Sequence, residues 1–284
     1  MRYGVTMFAT DQTWRIDEVA VEAESRGFAS LWLPEHTHIP TSRTTPPPTG
    51  DAVLADGYKR MFDPFIALAA AGARTERIRL GTGIALIAQH EPIATAKTIA
   101  TLDYLTDGRV YLGIGFGWNI DEMESHGIDP ACRRDLVREH VLTMRTLWSD
   151  EVAEFRGEFV DLAPSWAWPK PAQAGGPPVL LGSAPAPKAF AAVAEYCDGW
   201  LPIGGAGIRE AIPALHNACE AIGRDPASLS ITPFGTLYEP AKLEYYESLG
   251  IEEVVLRLPA GDRDEVLAEL DRLATAASIS PGPN

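Results

Sequence analysis

The sequence predicts an α/β protein, a parallel (β/α)8 barrel of the TIM type, and three observations lead there. Short β-branched or apolar runs alternate with longer helical patterns from one end of the 284 residues to the other. The runs are apolar nearly throughout, as strands covered on both faces must be. Eight such strands, each followed by a helical segment, fit a closed barrel better than the alternative, an open sheet split over two domains. No Pro/Gly/Ser linker divides the chain, so residues 1–284 are expected to form a single barrel domain.

The first strand is Tyr3–Met7. A helical stretch follows from Gln12 to Arg26, with Ile16, Val19, Ala20 and Ala23 on one face and Gly27 as its stop. Phe28–Leu33, Ile78–Leu86 and Arg109–Ile114 are the next strands. Before the last of these, Glu91-Pro92 opens a helix, with proline in the tolerated first turn, and Asp107-Gly108 ends it. Later strands are Pro178–Gly182, Gly199–Ile203, Leu229–Phe234 and Glu252–Leu258. Helical segments occupy Pro187–Tyr196, Arg209–Ile222, Ala241–Leu249 and Arg263–Thr275.

Two insertions break this rhythm, one after the second strand and one before the fifth. Thr37 to Met61 contains Pro46-Pro47-Pro48, which forbids helix; Glu151 to Pro177 carries Trp166 and Trp168. Loops this long in a compact domain are usually lids, binding loops or disordered segments. Both lie where barrel enzymes place their sites, and their prolines and tryptophans suggest an apolar or aromatic pocket.

Composition narrows the function. With 24 Lys+Arg against 39 Asp+Glu the formal net charge is −15. No basic cluster offers itself to nucleic acid or an anionic membrane. Three cysteines without a CxxC suggest neither a disulfide framework nor a zinc ribbon. The N-terminus lacks a signal-peptide pattern and no apolar run approaches the length of a membrane span, so a cytoplasmic protein is expected.

Several strand ends carry residues suited to chemistry. Glu35-His36 follows the second strand, where an imidazole can meet a substrate and exchange protons near neutral pH. His36-Thr37-His38 resembles a two-histidine metal site, but the fifth, sixth and seventh strand ends, at Gly182-Ser183, Ile203-Gly204 and Phe234-Gly235, supply no ligand. No metal is expected. Gly113-Ile114-Gly115-Phe116-Gly117-Trp118-Asn119 follows the fourth strand and lets the backbone approach a ligand, although GxGxG is not a dinucleotide fingerprint. Gly182-Ser183-Ala184 opens a helix whose free N–H groups suit a phosphate. Gly81-Thr82-Gly83-Ile84 places two glycines inside a strand, a sign of a bulge or of close backbone approach. Arg133 is a candidate anion clamp or a solvated helix arginine. GxSxG, P-loop and HExxH patterns are absent, which leaves hydrolase and nucleotide-triphosphatase readings unsupported.

In order along the chain, Leu33–Pro40 (LPEHTHIP), Asp63-Pro64-Phe65, Arg79–Ile84 (RLGTGI), Ala96-Lys97…Thr101-Leu102-Asp103, Gly115–Asn119…Glu122 and Asp198-Gly199-Trp200 resemble the luciferase-like flavin monooxygenase superfamily. Within it they resemble the branch that uses the deazaflavin coenzyme F420, over roughly residues 3 to 258. The resemblance implies a barrel that binds F420 at the C-terminal ends of its strands. His36 would stand near the reactive edge of the ring, and Gly83-Ile84, joined by a cis peptide, would back it. Gly115, Gly117, Trp118 and Asn119 would lie beside the cofactor, and Gly182, Ser183 and Ala184 would hold its phosphate. Some F420-dependent sugar-phosphate dehydrogenases carry a carboxylate where this chain has Trp118, which speaks against sugar-phosphate oxidation.

The function expected is therefore F420-dependent hydride transfer to or from a small organic substrate, with His36 as the catalytic residue and Glu35 as its partner or a loop anchor. An FMN-dependent monooxygenase of the same fold is the alternative, and a non-catalytic ligand-binding barrel is a third reading. A homodimer is expected by resemblance, with the face Phe65, Leu68, Ala69 and Gly72 available either to a partner or to the barrel.

Overall fold

The computed structural model describes residues 1–47, 53–205 and 207–280; Pro48, the last of the three consecutive prolines, lies outside them. In chain order the elements are β1 (Arg2–Thr6), α1 (Ile16–Ser25), β2 (Ser30–Leu33), α2 (Pro64–Gly72), β3 (Arg79–Ala85), α3 (Pro92–Leu105) and β4 (Val110–Ile114). Next come α4 (Ile120–Ser125), α5 (Arg133–Ser149), β5 (Ala153–Arg156), β6 (Asp161–Ser165), β7 (Val179–Ser183), α6 (Pro187–Tyr196) and β8 (Gly199–Pro202). The chain closes with α7 (Ile208–Glu220), β9 (Ser230–Ile231), β10 (Phe234–Thr236), α8 (Pro240–Ser248), β11 (Glu253–Arg257) and α9 (Arg263–Ala276).

A curled nine-stranded parallel sheet runs in the order β10-β11-β1-β2-β3-β4-β7-β8-β9. Its two edges meet through one segment. β9 pairs with β8, β10 pairs with β11, and Ile203 bridges Phe234. Leu229–Phe234, expected as one strand, is thus two short ones. Pro233 has no N–H to donate, and Gly235 at φ +66° turns the chain just beyond it.

Strand periodicity sorts the inward side chains into layers. At the N-terminal end, Glu253 accepts from Ser30 Oγ at 2.6 Å and pairs with Arg79, which donates to the Tyr111 hydroxyl at 2.9 Å. Above that polar floor sit Trp32, Leu180, Leu201, Phe234 and Val255. The large rings fit because their neighbours are glycines. A Cβ on Gly81 would meet the Trp32 ring at 2.2 Å, and one on Gly83 would meet Phe234 at 2.2 Å. The outward faces of the strands pack against the helices in one extended apolar cluster.

Some local expectations shift. α1 starts four residues later than predicted, because Thr10 and Thr13 hold each other in a side-chain-bonded turn instead of entering the helix. The second insertion, read as loop, contains the antiparallel hairpin β5–β6. Its turn is fixed from outside, since Glu139 on α5 accepts from the N–H groups of Glu158, Phe159 and Val160. Phe65, Leu68 and Gly72 face inward on α2, so the outer face of that helix is Ile66, Ala69 and Ala70. Among the described residues no helix is long and apolar enough to cross a membrane.

Candidate active site

Strand ends carry the site, as in parallel sheets where ligands lie beyond the C-terminal ends of the strands. β2 ends at Leu33 and delivers His36 into a buried position, 9 % exposed. Its Nδ1 lies 2.6 Å from Oε2 of Glu122, a fully buried carboxylate in the first turn of α4. Oε1 of the same carboxylate accepts from the backbone N–H of Thr37 at 3.1 Å. On the other side of the ring, the Trp118 indole N–H donates to His36 Nε2 at 3.1 Å. An indole can only donate and a carboxylate only accept, so these two partners fix the tautomer: the proton sits on Nδ1 and Nε2 carries a lone pair.

Aromatic rings surround this imidazole. Tyr58 lies 5.5 Å and Trp118 5.4 Å from it, ring centre to ring centre, and Phe8 meets Tyr58 edge-on at 5.0 Å. The insertion after β2 supplies Tyr58 and also Arg43, whose guanidinium lies over Trp118 at 5.7 Å. Asp121 fastens that insertion to α4, accepting from the N–H groups of Thr44 and Thr45 at 3.1 and 3.2 Å. Those bonds hold the Asp121 carboxyl below its ordinary range, although burial works against them.

Glu35 does not orient His36. It accepts from the Leu86 N–H at 2.6 Å and lies 2.7 Å from His90 Nε2, so it ties the end of β2 to the turn after β3. Burial disfavours the charged form of His90, yet the hydrogen bond and charge of Glu35 outweigh it and raise the histidine's pKa. The role expected of Glu35 as His36's partner belongs instead to Glu122, whose sequence signal is only its place in the glycine-run motif.

The Gly83–Ile84 peptide is cis, as expected. The Ile84 side chain fills space that glycines leave. A Cβ on Gly115 would stand 1.8 Å from Ile84 Cδ1, and one on Gly182 2.5 Å from its Cγ2. Gly117 adopts φ +75°, which turns the chain toward Trp118. Asn119 is 1 % exposed and offers its Nδ2 to Glu122 at 3.5 Å, which leaves its Oδ1 buried without a partner. Turning the amide over would aim an oxygen at the carboxylate, so the orphan acceptor is the oxygen. Around the mouth, Ser183 ends β7 and accepts from the Trp200 indole, while α6 begins beyond Ala184 with no side-chain cap on its first turn.

Other candidates stand apart. His38 and His126 both contact the Thr37 hydroxyl, at 3.0 and 2.7 Å; burial, with His38 nearby, lowers the pKa of His126. Arg133 donates to the Pro130 carbonyl. Trp166 lines a groove of about 470 Å³ between α3, α5 and the Trp166–Pro169 segment, and His36 is not part of it. Trp166 of the second insertion therefore lies away from His36, whose neighbouring rings are Tyr58 and Trp118.

Residues 6–249 match the sequence model of the luciferase-like monooxygenase family. An uncharacterized protein of Mycobacterium tuberculosis is 44 % identical over 281 residues, covering 96 % of this chain and 98 % of its own. The F420-dependent hydroxymycolic acid dehydrogenase of that organism is 29 % identical over 234 residues, which cover 80 % of this chain and 60 % of the relative. Among solved structures, an F420-dependent secondary alcohol dehydrogenase in complex with an F420–acetone adduct superposes with a TM-score of 0.76 at 20 % identity. That superposition covers 97 % of this chain and 98 % of the other.

Proposed function

Because this chain belongs to the luciferase-like monooxygenase family, we propose that it is an F420-dependent oxidoreductase that moves a hydride between the deazaflavin and a small organic substrate. The observation that carries this reading is the His36–Glu122 pair. It presents a neutral imidazole, its lone pair toward the site, where a hydroxyl proton has to be accepted or returned.

The residues present fit such a cofactor. Gly83, Gly115 and Gly182 keep the strand ends bare of side chains except Ile84, which suits a flat ring laid against backbone. The orphan Oδ1 of buried Asn119 calls for a donor of the kind a ring N–H supplies. Ser183, Ala184 and the uncapped first turn of α6 suit its phosphate. When bound, a deazaflavin supplies a carbon centre that takes or gives a hydride.

The chain's own residues do the rest. Glu122 holds the Nδ1 proton and stabilises the imidazolium that forms once Nε2 takes a second one. Tyr58, Phe8 and Trp118 exclude water and favour a substrate with an apolar body. Glu35 and His90 fix the turn that follows Ile84, and so act as positioning residues. A solution homodimer, formed through the outer faces of α2 and α3, completes the proposal.

The test is an anaerobic screen of alcohols and carbonyl compounds with the F420-loaded protein, read at the absorbance band of oxidised F420. Loss or recovery of that band without oxygen supports the reading. Product formation that needs FMN and oxygen would replace it with the monooxygenase alternative.

A further inference from the structure

We propose that the Thr37 hydroxyl is a proton switch: when the surface histidines His38 and His126 are both charged, it turns its hydrogen to Glu122 and loosens that carboxylate's hold on His36. Thr37, His38 and His126 are then positioning residues that act on the buried pair from outside. The consequence for turnover rests on the proposed role of His36 as proton acceptor; the switch itself does not.

The geometry is a chain of partners running from the interior to the surface. His36 and Glu122 have side chains 6 % and 0 % exposed, whereas Thr37, His38 and His126 are exposed. The Thr37 hydroxyl oxygen lies 2.7 Å from His126 Nε2 and 3.0 Å from His38 Nδ1. Its third neighbour is Glu122 Oε1, at 3.5 Å, the outer limit of a hydrogen bond. That Oε1 already accepts from the Thr37 N–H at 3.1 Å, and Oε2 accepts the Nδ1 proton of His36 at 2.6 Å.

Counting donors decides where the hydroxyl hydrogen goes. A hydroxyl has one hydrogen to give and a carboxylate only accepts. A neutral imidazole can offer a lone pair, but an imidazolium offers N–H groups alone. While one ring presents a lone pair, the hydroxyl donates to it. Once both rings are charged, each donates to the hydroxyl oxygen, and of its three side-chain neighbours only Glu122 still accepts. That bond and the two positive charges draw the carboxylate's negative charge toward Oε1, away from the His36 Nδ1 proton. The two ring centres are 5.4 Å apart, so the second charge is resisted and the switch closes only in acid. The charged and titratable groups that face His126 are His38, Glu122, His90 and Glu35. Burial and the two histidines hold its pKa below the ordinary value, against the pull of the glutamates.

The experiment reads the His36 Nδ1 hydrogen in the full chain without cofactor, where a short bond to a carboxylate moves its proton resonance far downfield. His36→Gln removes that resonance and so assigns it. Ring carbon signals of His38 and His126, assigned through His38→Gln and His126→Gln, report their protonation as the pH is lowered. In the parent the Nδ1 resonance should shift in step with those two signals. Whatever shift remains in the double variant His38→Gln, His126→Gln belongs to His36 alone. Thr37→Val should show only that remainder, and Thr37→Ser, which keeps the hydroxyl, should show the full shift.

A parent resonance that shifts no more than that of the double variant overturns the proposal. So does a Thr37→Val protein that behaves as the parent does, since charge would then act without the hydroxyl. Failure to bind F420 would remove the proposed function instead, and this measurement, made without cofactor, would still decide whether the switch exists.

Discussion

At the scale of single residues, the proposed function divides the chemistry between His36 and Glu122. One presents a lone pair, and the other fixes which nitrogen carries it. His36→Gln should lower turnover by about 10²–10⁴-fold, the usual contribution of a positioned acid or base, with cofactor affinity within a few-fold of the parent. Collapse of cofactor binding would make the residue structural. Glu122→Gln keeps the shape but loses the charge, and should cost roughly 10–10² in turnover at unchanged cofactor affinity; steady-state rates and a cofactor titration read both variants. His90 adds a dependence on pH. Its pKa is raised in the fold by Glu35, so its contribution to stability is complete below the ordinary histidine value of about 6.5 and is lost as pH rises through the raised value. Denaturation at several pH values from 5 to 9 should show that loss in the parent and a flatter profile in His90→Gln.

Among the elements, the strand ends were more legible than the segments that cross them. The alternation of apolar runs and helical periods places seven of the nine strands of the main sheet within a few residues and runs β9 and β10 together as one; proline or glycine marks most ends, and α6 spans Pro187–Tyr196 as expected. What stays hidden depends on distant partners. The β5–β6 turn is held by Glu139 on a neighbouring helix, and Glu122 is a buried base-holding carboxylate only because α4 brings it beneath His36. Its one signal is its place after the glycine run, which does not by itself set it apart from the neighbouring acids. His36 is visible as an ionisable residue at a strand end in a chain whose other strand ends offer few, whereas Glu35, next to it in sequence, points to a different loop. The β7–α6 junction yields a prediction of its own. Ser183→Asp places a negative charge where the uncapped first turn of α6 is proposed to hold a phosphate, so the dissociation constant of the cofactor should rise. An unchanged constant would contradict that placement.

For the whole molecule, charge and shape bear on assembly. A chain with net charge −15 repels its copies wherever acids are exposed. The outer faces of α2 and α3 are an exception: Ile66 is 70 % exposed, Tyr104 58 % and Leu105 72 %, and Ala69 and Ala70 continue the apolar surface. Light scattering at micromolar concentration should give the mass of a dimer, and Ile66→Asp with Leu105→Asp should shift it to a monomer. A monomeric parent would refute the assembly. The candidate site lies at the opposite, C-terminal end of the same sheet from the Arg79–Glu253 floor, so the proposed chemistry and this polar floor occupy different layers of one fold. That separation leaves the cofactor as the deciding question. Equilibrium titration of the cofactor-free protein with F420 and with FMN, followed by quenching of cofactor fluorescence, addresses it most directly. F420 is expected to bind more tightly and to be reduced or reoxidised by substrate without oxygen; tighter binding of FMN together with oxygen-dependent turnover would contradict the account.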